Sequence, residues 1–218
     1  MNAPHPVSPI WAPAAEDVRT LAWLHAQERP AALWVALYRH GFPHGLSLGG
    51  HEEVAELADG LQALARQLAE QPGETLRADD LLAADYADIY LTHAFKASPY
   101  ESVWRDEDRL MMQGPTFDVR ACYRRHGLAV ATDWRSMPDD HLAHELAFVA
   151  HLLDQGKVVE AASFLDAHLM TWLPDFAAQV GHRARTRVYA GLARLTLSLC
   201  RQLRAALVVS TDEVPPTG

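Results

Sequence analysis

Apolar residues recur at helical spacing along most of the chain, and the pattern is clearest in residues 136–155, SMPDDHLAHELAFVAHLLDQ. Leu142, Leu146, Val149 and Leu153 fall at intervals of four, three and four, which puts them in one stripe of a helix. Ser136 is placed to cap that helix, with Pro138 in its first turn and Asp139 completing the S-x-x-D form of a capping box. Gly156 supplies a left-handed stop. At 3.6 residues per turn, His141 and Glu145 lie on the shoulder of the stripe beside Phe148 and Leu152, whereas Asp140, His144 and His151 point away from it. The helix therefore carries a polar shoulder at its N-terminal end.

The remaining segments read the same way. Residues 1–13 hold four prolines and little to bury, so they are expected to be an irregular arm. Val18, Leu21, Ala22 and Leu24 predict a helix over 14–27; Pro30 interrupts, and a second helix over 31–40 ends at Gly41. Val54, Leu57, Leu61, Leu64 and Leu68 make a third, closed by Pro72 and Gly73. A fourth starts at Asp79 or Asp80 and carries Leu82, Tyr86, Ile89 and Tyr90, with Asp85 and Asp88 beside the aromatics. Thr116 is placed to cap a helix with Val119 and Tyr123 that ends at Gly127, and Pro174 must bend or end the helix that holds it. A last helix over 183–208 fades into a polar tail, residues 209–218. With sparse β-branched residues, no linker and no repeat, the expectation is an all-α, single-domain helical bundle over 14–208.

Composition narrows the function classes. A net charge of -9 over 218 residues argues against nucleic acid as the main partner and favours a basic peptide. Cys122 and Cys200 are too few for a disulfide framework and too far apart for a zinc knuckle, which fits a reducing compartment. The first residues lack a basic-then-apolar leader, and no apolar run is long enough to span a bilayer. A soluble cytoplasmic protein is the expectation.

Four motifs then stand in order: S-P-Y-E-S-V-W over 98–104; Gly114, Thr116, Val119, Arg120, Tyr123 and Gly127 in a G-x-T segment; P-D-D-H-L-x-x-E-L-x-F over 138–148; and Phe164, Leu165, His168, Leu169, Trp172, Pro174 and Phe176. Together they resemble the TorD/DmsD family of redox-enzyme maturation chaperones, over about residues 80–205, with the aromatic stretch DYADIY, 85–90, preceding them. The resemblance implies a TorD-like fold in which the Pro99 loop crosses near the Pro138 helix start. It implies a client-specific chaperone, not an enzyme, that binds the twin-arginine signal peptide and apo form of a molybdopterin-containing oxidoreductase until its cofactor is inserted. The residues it points to for the peptide are Tyr86, Ile89, Tyr90, Pro99, Tyr100, Glu101, Ser102, Trp104, Gly114, Pro138, Asp140, His141 and Glu145. It implies no resident cofactor, weak guanine-nucleotide binding at most, and a monomer or homodimer.

The same residues carry other readings. His141 and Glu145, four apart, are compatible with a metal-assisted hydrolase, although H-E-x-x-H fails because Phe148 stands where its second histidine belongs. The tyrosines are equally compatible with plain core packing, and a helical interaction module with an unrelated partner stays open. Asp85, Asp88, Glu101, Asp106, Asp139 and Asp140 are candidates for an acidic lip that receives arginines. There is no G-x-x-x-x-G-K-S/T loop, no G-x-S-x-G elbow, and no cysteine beside a catalytic-looking histidine in the sequence.

Overall fold

The computed structural model describes residues 10–71, 73, 75–92, 97–130 and 137–212, with side chains to residue 209. Among these residues the secondary structure is helical, apart from one isolated antiparallel bridge. Ten α-helices are described: α1 (Ala12–Ala26), α2 (Ala31–Arg39), α3 (His51–Glu70), α4 (Thr75–Tyr86), α5 (Glu101–Arg105), α6 (Gly114–Arg125), α7 (Leu142–Asp154), α8 (Val158–Phe164), α9 (Met170–Arg183) and α10 (Arg187–Asp212). Wider π turns extend α4 over Ala87–Leu91 and α8 over Leu165–Leu169. The all-α expectation is met.

Several boundaries differ from those the sequence suggests. The arm gives way to helix at Ala12, and residues 1–9 of it lie outside the described residues. The fourth helix starts at Thr75, not at Asp79, because the Asp79 carboxylate is turned to another use: it accepts the Ala31 N–H at 2.6 Å and so caps α2, whose own N-cap Pro30 offers no side-chain acceptor. Thr116 sits inside α6, which begins at Gly114 with Pro115 in its first turn, and its hydroxyl is buried without a partner. The proposed Ser136 cap lies outside the described residues, as does Pro72, and the central helix begins only at Leu142. Pro174 does not end its helix: α9 runs through it, one turn after the wider coil at Leu165–Leu169. α10 continues to Asp212, past the expected end at 208.

The helices gather into two compact units, each drawn from separated stretches of chain, so no linker composition marks them. One unit comprises the described residues of Met1–His25, Tyr100–Trp172 and Cys200–Gly218. Its centre is the stripe of α7: Leu142, Leu146, Val149 and Leu153 are all wholly buried, as are Val18, Leu21, Leu169 and Leu203, at roughly 1.5–3 kcal/mol per side chain. α7 packs on α8 and its π extension, and α5 on α6.

The other unit comprises Ala26–Pro99 and Leu173–Leu199, with α2 packed on α3 and α4. Trp34, Leu57, Leu61, Leu82, Ile89, Phe176 and Leu192 form its core. Here α3 and α10 pass closely, because a Cβ on Gly191 would lie 3.0 Å from the Leu57 Cα. A larger residue would push the helices apart.

Candidate functional site

The start of α5 and the approach to α7 are tied together. Tyr100 and His141 form the antiparallel bridge, the Glu101 N–H donates to the Asp140 carbonyl at 3.1 Å, and the Tyr100 ring stands edge-on to the His141 ring at 5.1 Å. Asp140 Oδ2 accepts the Ser102 N–H at 2.8 Å. Two of the first N–H groups of α5 are thus met from a distant segment, since the N-cap Tyr100 makes no side-chain bond to them. Asp140 does not point away from the core as helical geometry implied; it is fully buried, because the chain at this position is a turn and not yet helix.

His141 caps α7. Its Nδ1 accepts the Ala143 N–H at 3.1 Å, so the proton of the neutral ring lies on Nε2. The turn before it is held by the His141 N–H to the Pro138 carbonyl at 3.1 Å, and by His144, whose Nδ1 donates to the same carbonyl at 3.0 Å. Asp139 is gripped from α6: Arg120 Nε and Nη2 donate to its Oδ2 at 3.0 and 2.8 Å, and the Tyr123 hydroxyl donates to its carbonyl at 3.0 Å. His144 is therefore not simply outward-facing. Burial lowers its readiness to protonate, with the Pro138 bond opposing.

Beneath this turn lies a buried acid cluster. Glu101 is fully buried, takes a hydrogen bond from Arg105, and accepts from His168 Nδ1 at 2.9 Å. Glu145, also fully buried, accepts the Trp172 indole N–H at 3.3 Å. Burial first, then the nearby Glu101 and Asp140 carboxylates, push the Glu145 carboxyl well above the ordinary range, which favours its neutral form. His141 Nδ1 is engaged by the Ala143 N–H, and the Glu145 carboxyl is pushed toward its neutral form. Among the described residues, no group of three or more His, Cys, Asp and Glu is placed to hold one.

The thirteen residues named from the resemblance thus divide. Tyr100, Glu101, Ser102, Asp140, His141 and Glu145 come together and are buried; Pro138 and Trp104 are half-buried and Gly114 is exposed in the same unit. Tyr86, Ile89, Tyr90 and Pro99 belong to the other unit and are buried there. Tyr86 stacks on Tyr90 at 4.6 Å, both rings lie 6.2 Å from Tyr189, and the Tyr86 hydroxyl donates to the Ala26 carbonyl at 3.3 Å. Of the six acidic-lip candidates, Asp88 and Asp106 are half-buried and the other four are not solvated. Asp85, Glu101 and Asp140 are fully buried and Asp139 nearly so, each with protein donors as partners.

Two cavities adjoin the cluster in the first unit. One, of about 360 Å³, is lined by Tyr123, Leu128, Ala129, Val130, His144, Ala147, Phe148 and His151, and is mostly apolar. It abuts the Pro138 turn through His144. The other, of about 300 Å³, is lined by Cys122, Arg125, His126, Phe148, Phe164 and His168 among others. The sequence hides this second site: Cys122 and His168 stand 46 residues apart, yet Sγ lies 3.7 Å from His168 Nε2. The reading that no cysteine lies beside such a histidine is therefore corrected. Leu128, Ala129, Val130 and Ala147 had no signal in the sequence beyond being apolar or small.

Fold and site together define an all-α protein whose central helix starts in a buried polar junction beside an apolar groove. The family model described as nitrate reductase delta subunit matches residues 51–178, more than half the chain, and the chain belongs to that family. Curated relatives carry the name Chaperone protein TorD. The chain is 33% identical over 133 residues to that of Vibrio cholerae serotype O1, covering 56% of this chain and 60% of the relative. It is 34% identical over 124 residues to that of Shewanella pealeana, covering 54% and 56%, and 29% identical over 173 residues to that of Shewanella amazonensis, covering 76% and 69%. The chain thus matches less than two thirds of the length of the first two. The TorD/DmsD resemblance of the four motifs is met by these names. No helix among the described residues is long and apolar enough to cross a membrane.

Proposed function

We propose that this chain is a client-specific chaperone for a redox enzyme, binding the twin-arginine signal peptide and apo form of a molybdopterin-containing oxidoreductase in the cytoplasm until the cofactor is inserted. The observation that carries the proposal is the apolar groove of about 360 Å³ against the Pro138 turn, in a chain whose relatives are named chaperones. The groove takes the apolar stretch of the leader, and the net charge of -9 favours approach of its arginines. Glu101, Asp140, His141 and Glu145, buried as they are, belong to the junction from which α5 and α7 start and do not touch the client. No covalent step is involved; release follows competition for the leader.

Calorimetry tests this with a synthetic leader carrying an arginine pair followed by an apolar stretch. Ala147 lines the groove and is exposed, so Ala147→Lys leaves the core intact while placing a cation where the leader sits. The expected loss of affinity is about tenfold or more, or ~1.4 kcal/mol. Unchanged affinity removes the groove assignment. A wild-type protein that gives no binding heat and brings down no molybdopterin reductase precursor overturns the function itself.

A further inference from the structure

We infer that Cys122 is a site of reversible mixed-disulfide formation, with His168 as its base, Glu101 as the residue positioning that base, and the adjoining cavity as the seat of a small carboxylate-bearing thiol. The arrangement is a relay of three groups. The fully buried Glu101 carboxylate accepts from His168 Nδ1 at 2.9 Å, which fixes the proton on Nδ1 and leaves the Nε2 lone pair facing Cys122 Sγ at 3.7 Å. His168 is itself only 6% exposed, so its ring is held by packing against Phe164 at 4.6 Å as well as by the carboxylate. Arg125 Nη2 also donates to Sγ, at 3.0 Å. Nucleophile, base and orienting group are thus linked by successive contacts, and Cys122 is half-buried and lines a cavity of about 300 Å³.

The cavity also specifies what fits. Phe148, Leu152 and Phe164 give it an apolar floor, and Arg125 and His126 stand on its wall, with Lys157 Nζ 3.0 Å from His126 Nδ1. Glu160 is the one carboxylate lining it. A thiol of low molecular weight that bears both carboxylate and ammonium groups matches a cavity lined by Arg125 and by Glu160. Cys200 makes the contrast within the same chain: it is 1% exposed, and burial pushes its thiol up to about 12.

The exchange balances without another oxidant. His168 Nε2 takes the Cys122 proton as Sγ attacks one sulfur of a small disulfide, RSSR. The RS–SR bond breaks as the Cys122–SR bond forms, and the leaving thiolate collects the proton from His168, giving Cys122–S–SR and RSH. Glu101 stabilises the imidazolium formed on the way.

Full-length protein is incubated with oxidised glutathione as the probe, and adducts are located by peptide mass spectrometry. One adduct is expected, on Cys122, forming about tenfold or more faster than on the same cysteine in the urea-unfolded chain. Cystamine, whose ends are cationic, is expected to react more slowly than oxidised glutathione in the folded protein. His168→Gln, with its fold checked by thermal melting, brings the rate down to the unfolded level. A folded rate at or below the unfolded one, no adduct, or first reaction at Cys200 overturns the site, and these outcomes need no variant. Faster reaction with cystamine overturns the carboxylate class, and a folded His168→Gln protein that reacts as fast as wild type overturns the base.

Discussion

Asp140 Oδ2 accepts the Ser102 backbone N–H at 2.8 Å across 38 residues of sequence, and its Oδ1 has no partner. One oxygen therefore does the structural task. Asp140→Asn keeps an acceptor in that position and is expected to cost less than ~1 kcal/mol, whereas Asp140→Ala leaves a buried N–H unmet and costs about 1–3 kcal/mol. Urea unfolding of the two variants measures the difference. Equal losses show that the charge, and not the hydrogen bond, is what the fold uses.

The Glu145 carboxyl supplies a pH dependence whose sign is fixed by its direction of shift. Its folded pKa is raised well above 4.5 by burial and by Glu101 and Asp140, so the native state keeps a proton that the unfolded chain releases. Its contribution is complete below about pH 4.5 and is lost as pH rises, by at most about 1.4 kcal/mol per pH unit. Glu145→Gln retains an oxygen for Trp172 but has no proton to lose. The variant's melting temperature is thus expected to exceed wild type by more at pH 8 than at pH 5. His25, lowered to about 3 by burial, acts the other way, losing stability as pH falls below 6.5, and cancels in the comparison. Parallel melting curves across the range contradict the protonated Glu145.

The helices were legible because their apolar stripes are local: Leu142, Leu146, Val149 and Leu153 all reach the core as their spacing demands. The caps were not. Asp79 caps α2 and Asp140 serves α5, so the acceptors lie 48 and 38 residues from their donors, where no local rule finds them. The nearness of the Pro99 loop to the Pro138 helix start came from the motifs and is met at the Tyr100–His141 bridge. What the letters left open was burial: Glu101, Asp140 and Glu145 look like surface carboxylates until their partners Arg105, Ser102 and Trp172 are seen converging on them. The Cys122–His168 pair was illegible for the same reason as the caps.

Arg120 and Asp139 offer a direct measure of how firmly α6 holds the turn before α7. Both donors go to one oxygen, at 3.0 and 2.8 Å, and the Asp139 side chain is 10% exposed. A double-mutant cycle with Arg120→Ala and Asp139→Ala is expected to give a coupling of about 1–2 kcal/mol, little reduced by salt. A coupling that vanishes at high salt marks the pair as an ordinary surface contact instead.

Asp85 contrasts with Asp140 because it uses both oxygens. Oδ1 accepts the Arg185 N–H at 2.9 Å and Oδ2 the Thr186 N–H at 2.7 Å, so one buried carboxylate holds the turn that leads from α9 into α10. Arg185 Nη1 reaches Asp88 Oδ2 at 2.6 Å and reinforces the same turn. An asparagine has only one acceptor oxygen, and its amide group would face an N–H donor with another donor. Asp85→Asn is therefore expected to cost nearly as much as Asp85→Ala, about 1–3 kcal/mol, unlike the pair of substitutions at Asp140. Urea unfolding of all four variants side by side tests the rule, and a mild Asp85→Asn alongside a severe Asp85→Ala would show that a single acceptor suffices for this turn.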